Sequence, residues 1–91
     1  MSTIAQRQAE VTRRRSILAT LLFAAAQTLS ATALRNELER VHGQVASADR
    51  VRADLLWLAD VGLVQTVGDA ATLTERGREI VLDRAVMPGE V

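Results

Sequence analysis

Apolar positions recur at helical spacing through residues 17–61 and switch to strand-like runs only over 64–73. From about Ala5 to Ala26 the chain is made of strong helix formers without Gly or Pro, which predicts one long first helix. Leu18, Leu21, Leu22 and Ala25 fall on one stripe of it. Its beginning is polar (Gln6, Arg7, Gln8, Glu10), with only Ile4 and Val11 as apolar surface. Residues 1–12 therefore read as an extension that projects, frays or packs on a partner. Thr28-Leu29-Ser30 breaks the pattern, and Ser30 is placed to cap a second helix from Ala31 to about His42. Leu34, Leu38 and Val41 form its stripe, with Arg35, Asn36, Glu37, Glu39 and Arg40 facing outward, and Gly43 stops it.

Ser47 caps a third helix that runs to about Val61 and ends at Gly62, with Asp49 complementing the dipole in its first turn. At about 100° per residue, Val51, Leu55 and Leu58 share a core face flanked by Ala48 and Ala59. Asp49, Ala53 and Asp60 lie opposite, with Arg50 and Arg52 on either side. The run Leu55-Leu56-Trp57-Leu58 is apolar nearly all round, so that end requires several elements to bury it. Val64–Val67 and Ala71–Leu73 are β-favourable runs around Gly68-Asp69, a small hairpin whose turn Ala70 can extend. Thr74 caps a final helix through about Arg84, and a tail of residues 85–91 follows, with Pro88-Gly89 ending regular structure. The predicted fold is mainly α with a small β-hairpin, in the order helix, helix, helix, hairpin, helix, as a single domain over 1–91.

Composition narrows this picture. Ninety-one residues leave room for one small domain. One Phe, one Trp and no Tyr mean an aliphatic core. The absence of Cys excludes a disulfide framework, a thiolate metal site and a Cys nucleophile, and a single His excludes a His-based metal cluster. No cofactor is expected. All eleven basic residues are Arg, against eleven acids, so the formal net charge is zero and a globally basic DNA-coating protein is excluded. The zero is unevenly built. Residues 1–52 hold eight Arg against four acids, net +4, and residues 53–91 hold three Arg against seven acids, net −4.

Arg13-Arg14-Arg15 before the apolar run Ile17–Ala26 has the look of a secretory or twin-arginine signal, with Ala31-Thr32-Ala33 as a small-x-small site. The run is too short to span a bilayer, and its helical stripe reads equally as the buried face of a first helix. The rest of the chain needs that helix for its core, so a cytoplasmic protein without a membrane partner is expected.

Two helices joined by Gly43-Gln44-Val45-Ala46 suit a helix-turn-helix, whose second helix can enter a DNA major groove. Arg50 and Arg52 beside small residues can bond guanine or phosphate, or can be ordinary solvated side chains. Asp49 and Asp54 weaken the local positive field. Trp57 reads as a core or dimer-interface residue, His42 as a helix-end residue, and Arg13–Arg15 as a phosphate-binding or solvated face.

The segment Val51–Val64 followed by Leu73-Thr74-Glu75-Arg76-Gly77 resembles winged helix-turn-helix proteins, close to ArsR- and MarR-like regulators and to small winged-helix proteins of Mu-like phages. The likeness covers about residues 13–84. The resemblance implies that the third helix is the recognition helix and the hairpin the wing. Ser47, Arg50, Arg52 and Ala53 would then face the groove, with Gly68 and Asp69 at the wing tip and Arg35 as a further DNA contact. The wing lacks Arg, and the chain lacks the Cys of an ArsR-type metal sensor. The function expected is a DNA-binding transcriptional regulator, a homodimer on double-stranded DNA. The alternative is a winged-helix module that binds a protein partner without DNA. An enzyme is not expected: the five glycines form no phosphate-cradling motif, and no Ser-His-acid set can be assembled.

Overall fold

A computed structural model describes residues 3–83. The first helix, α1, spans Ile4–Phe23, and the capping box at Thr3 starts it. The Thr3 hydroxyl accepts from the Gln6 N–H while the Gln6 side chain accepts from the Thr3 N–H, so two otherwise unpaired donors are satisfied. The helix ends three residues earlier than its propensity predicts. A turn of 3-10 helix over Ala25–Gln27 follows, with Ala26 and Gln27 at positive φ. That reversal delivers Thr28–Ser30 as a short strand, β1, a correction to the hairpin-only expectation.

Ser30 then caps α2 (Ala31–His42), accepting from the Ala33 N–H, and Gly43 closes it in the left-handed conformation at φ 64°. Ser47 caps α3 (Ala48–Asp60) by accepting from the Arg50 N–H. Strands β2 (Val64–Val67) and β3 (Ala70–Leu73) form the hairpin, with Ala70 paired to Val67, so the turn is Gly68-Asp69 alone. Gly68 at φ 59° supplies the positive φ that a two-residue hairpin turn needs at its first position. The last helix, α4, spans Glu75–Val81 behind its Thr74 cap, shorter than expected, and the predicted end near Arg84 and the 85–91 tail lie outside the described residues.

The three strands form one antiparallel sheet in the order β1-β3-β2. Thr28 pairs with Thr72, and their hydroxyls meet at 2.8 Å. Ile17, Leu18 and Leu21 of α1 meet Leu34 and Leu38 of α2, Val51, Leu55 and Leu58 of α3, Leu63 and Val64, Ala71 and Leu73 of β3, and Ile80 of α4 in one core. The core is aliphatic, as composition requires.

Three apolar assignments differ. Ala25, expected on the buried stripe of the first helix, falls in the 3-10 turn and is exposed. Val41 is 56% exposed, because the last turn of α2 lies along the edge of an open groove against the end of α1 and does not enter the core. Leu56 is 65% exposed: the apolar run of α3 has neighbours on its other sides but not on the outward side where Leu56 sits.

The Leu73-Thr74-Glu75-Arg76-Gly77 stretch has a mechanical reason. The Thr74 hydroxyl accepts from the Gly77 N–H at 3.0 Å and donates to the Gly62 carbonyl at 2.8 Å, joining the start of α4 to the end of α3. A Cβ on Gly77 would sit 2.3 Å from the Leu63 carbonyl oxygen. Only hydrogen fits there.

Candidate nucleic-acid interface

The α2–turn–α3 unit brings the outward residues of α3 beside the hairpin tip. Gly43 donates to the Glu39 carbonyl at 3.2 Å and Gln44 to that of Leu38 at 3.0 Å, so α2 is closed before the chain turns into α3. Gln44 is anchored to α1 by a 2.9 Å bond from its side-chain amide to the Ser16 hydroxyl. Ser47, Arg50, Arg52 and Ala53 are all exposed on the first turns of α3. Arg50 pairs with no acid among the described residues; its backbone N–H is what Ser47 caps.

Arg52 behaves differently. Its Nε donates to Asp69 Oδ1 at 2.7 Å, its Nη2 to Asp69 Oδ2 at 3.2 Å, and its Nη1 to Asp49 Oδ1 at 2.9 Å. Helix α3 and the hairpin tip are thus clasped by a fork of two parallel bonds. Hydrogen bonding to Asp69 and then Asp49 raises the Arg52 pKa further, and Arg52 in turn holds the Asp69 carboxyl below the usual carboxylate range. Asp69 is also fixed through its backbone: its carbonyl accepts from the Ala31 N–H at 2.9 Å, tying the turn to the start of α2. Arg35 lies one turn beyond Ala31, and its guanidinium bonds the Asn36 side chain at 2.9 and 3.3 Å.

The basic run of α1 has a role that neither sequence reading anticipated. Asp54, facing inward from α3 and 2% exposed, accepts from Arg13 and, at 3.2 Å, from Arg14. Arg14 also lies over the Trp57 ring, 4.2 Å from its centroid. Arg13 and Arg14 are accordingly neither a solvated face nor a phosphate clamp. They neutralise a buried carboxylate, and Asp54 is turned away from the exposed face of α3 that carries Arg50 and Arg52. The signal available in sequence was Asp54 itself, an acid placed three residues after Val51 and four before Leu58 on an otherwise apolar face. His42 sits at the end of α2 within 3.3 Å of the Thr20 hydroxyl. Among the described residues no three His, Asp or Glu side chains are grouped to hold a metal ion, and no helix is long and apolar enough to cross a membrane.

Four helices and a small sheet with a helix-turn-helix and a two-strand wing define a winged-helix protein. Two solved structures of hsRosR complexes are similar to this chain, at TM-scores of 0.68 and 0.66 and identities of 25% and 26%. Each match covers 78% of this chain, and the chain spans 65% and 64% of the two hsRosR chains. No protein family and no curated protein matches by sequence.

Proposed function

We propose that this chain is a DNA-binding transcription regulator that reads the major groove with α3. The observation that carries the reading is the exposed N-terminal half of α3, with Arg50 unpaired among the described residues, set beside the wing tip on a helix-turn-helix. The winged-helix fold, shared with the hsRosR complexes, supports it. In this reading Ser47, Arg50, Arg52 and Ala53 face the groove, Arg35 meets a phosphate, and Gly68 and Asp69 lie at the wing tip. Few cations are available, so binding is modest and salt-sensitive. Fluorescence anisotropy on genomic fragments at low and high salt is the test. Binding at low salt that is lost in Arg50→Ala/Arg52→Ala supports the reading. Full binding by that variant, or none by the native chain at low salt, sinks it.

A homodimer completes the proposal, because two-fold symmetry places two recognition helices about 34 Å apart, one turn of the duplex. Ile4 is 75% exposed on the polar extension of α1, which favours a partner there. The other apolar surface expected to serve a dimer, Ala85-Val86-Met87, lies outside the described residues.

The second reading is a protein-binding winged-helix module. What favours it is the face itself: Leu56 is 65% exposed in a groove that Arg52, Thr66 and Asp69 also line. A protein partner would cover this side chain, and Leu56→Ser would weaken that complex.

A further inference from the structure

We propose that Asp69 is an intramolecular competitor for DNA: the wing tip occupies Arg52 in the free protein, and DNA engages that arginine only by displacing it. The inference rests on the DNA-binding reading above and deepens it.

Three features of the clasp carry the argument. The first is which edge of Arg52 is used. Asp69 takes Nε and Nη2, the side-on fork that grips a phosphate or a guanine edge, and Asp49 takes Nη1. A nucleic-acid acceptor cannot use that fork while Asp69 holds it. The second is charge. Two carboxylates on one guanidinium leave the group at net −1, so in the clasped state the centre of the proposed interface repels phosphate. The third is that the clasp is held in water. Arg52, Asp69 and Asp49 are 43%, 50% and 93% exposed. Ion pairs so exposed are weak and screened by salt, and one can be exchanged for a phosphate or guanine at little cost.

The fold keeps the competitor in place. Gly68 makes the two-residue turn, and the Asp69 carbonyl is bonded by the first N–H of α2, so the carboxylate rides on a fixed turn. On random duplex, phosphate attraction is nearly all that binds, and the clasp removes one of the few available cations. The expected consequence is suppression of non-specific binding.

The experiment is an anisotropy titration of a random-sequence duplex and of a pool of genomic fragments across a salt series. It uses the native chain, Asp69→Asn, Arg52→Ala and the double variant, with Asp60→Asn as a control that removes an exposed acid of α3 outside the clasp. Asp69→Asn is expected to bind random duplex about two- to fivefold more tightly, the worth of one surface ion pair. Its plot of log affinity against log salt should steepen by up to about 0.9, one added phosphate contact. In the Arg52→Ala background the same substitution should gain no more than Asp60→Asn does. Unchanged or weaker binding by Asp69→Asn overturns the proposal and makes Asp69 a positioning group for Arg52. An equal gain from Asp60→Asn, or a gain that persists without Arg52, also overturns it. If neither the native chain nor Asp69→Asn binds any duplex at low salt, the DNA-binding reading fails and the competitor role falls with it. Binding by Asp69→Asn alone supports both.

Discussion

Gly77 sits where backbone and side chain converge most tightly: a Cβ there would lie 2.3 Å from the Leu63 carbonyl oxygen and 2.6 Å from a Leu73 methyl. Alanine is the better helix former, by about 1 kcal/mol, yet overpacking against a carbonyl that cannot move costs about 1–3 kcal/mol. A backbone oxygen this close puts the cost at the upper end of that range, so Gly77→Ala is expected to lower stability by about 1–2 kcal/mol net, a Tm loss of roughly 4–16 °C for a domain this small. Thermal melting followed by circular dichroism checks it, and an unchanged Tm contradicts the geometry. At Ser47 the reasoning concerns a single bond. Its hydroxyl accepts from the Arg50 N–H at 3.0 Å, and Ser47→Ala should cost about 1 kcal/mol in urea denaturation. The same variant is expected to weaken DNA binding less than Arg50→Ala, because it frays the helix start without removing a cation.

The joint between α1 and α3 decides how α3 is held. Asp54 is buried under Arg13 and Arg14, and removing one partner of such a group leaves charge with nothing to balance it. The two arginines keep 14% and 18% of their side-chain surface in water, so the penalty falls below that of a fully buried pair. Asp54→Ala should cost about 2–3 kcal/mol. By contrast, breaking the exposed Glu37–Arg40 pair on α2 should leave the urea midpoint unchanged. Trp57, the only tryptophan, lies beneath Arg14 and reports the outcome directly. Its emission should shift in folded Asp54→Ala and stay constant in Glu37→Gln. A silent Trp57 in the first variant would mean that the cluster does not position α3. Much of the element pattern was readable beforehand, including Ser30, Ser47 and Thr74 as caps and Gly43 as a stop. The strand Thr28–Ser30 was not, because three residues carry no periodicity and become a strand only when Ala70–Thr72 lies alongside.

At the scale of the whole molecule, several of the acids and arginines cancel in local pairs. Arg52 is spent on Asp49 and Asp69, and Arg13 and Arg14 on Asp54. The proposed interface thus offers less positive charge than the +4 of residues 1–52 promises. Assembly is the remaining lever, since a dimer doubles every contact. Sedimentation is expected to give twice the 9.9 kDa chain mass, and Ile4→Ser with Val11→Ser is expected to shift it toward monomer. A native monomer at micromolar concentration would remove the dimer from the proposal.

Helical periodicity, cap residues and glycine placement act within a few residues, so the order of helices, the hairpin and the helix-turn-helix could be read from the chain alone. Once the winged-helix resemblance was seen, Arg52 could likewise be assigned to the third helix and Gly68 and Asp69 to the wing tip, which the structure brings together. Which charges meet could not be read. Arg13 and Asp54 are 41 positions apart, and Arg52 and Asp69 are 17 apart. Such pairings depend on how α1, α3 and the hairpin pack in space, and a charge in a sequence carries no record of its distant partner. Tertiary structure turned Asp54 inward onto the arginines of α1 and laid the wing carboxylate across the arginine proposed to read DNA.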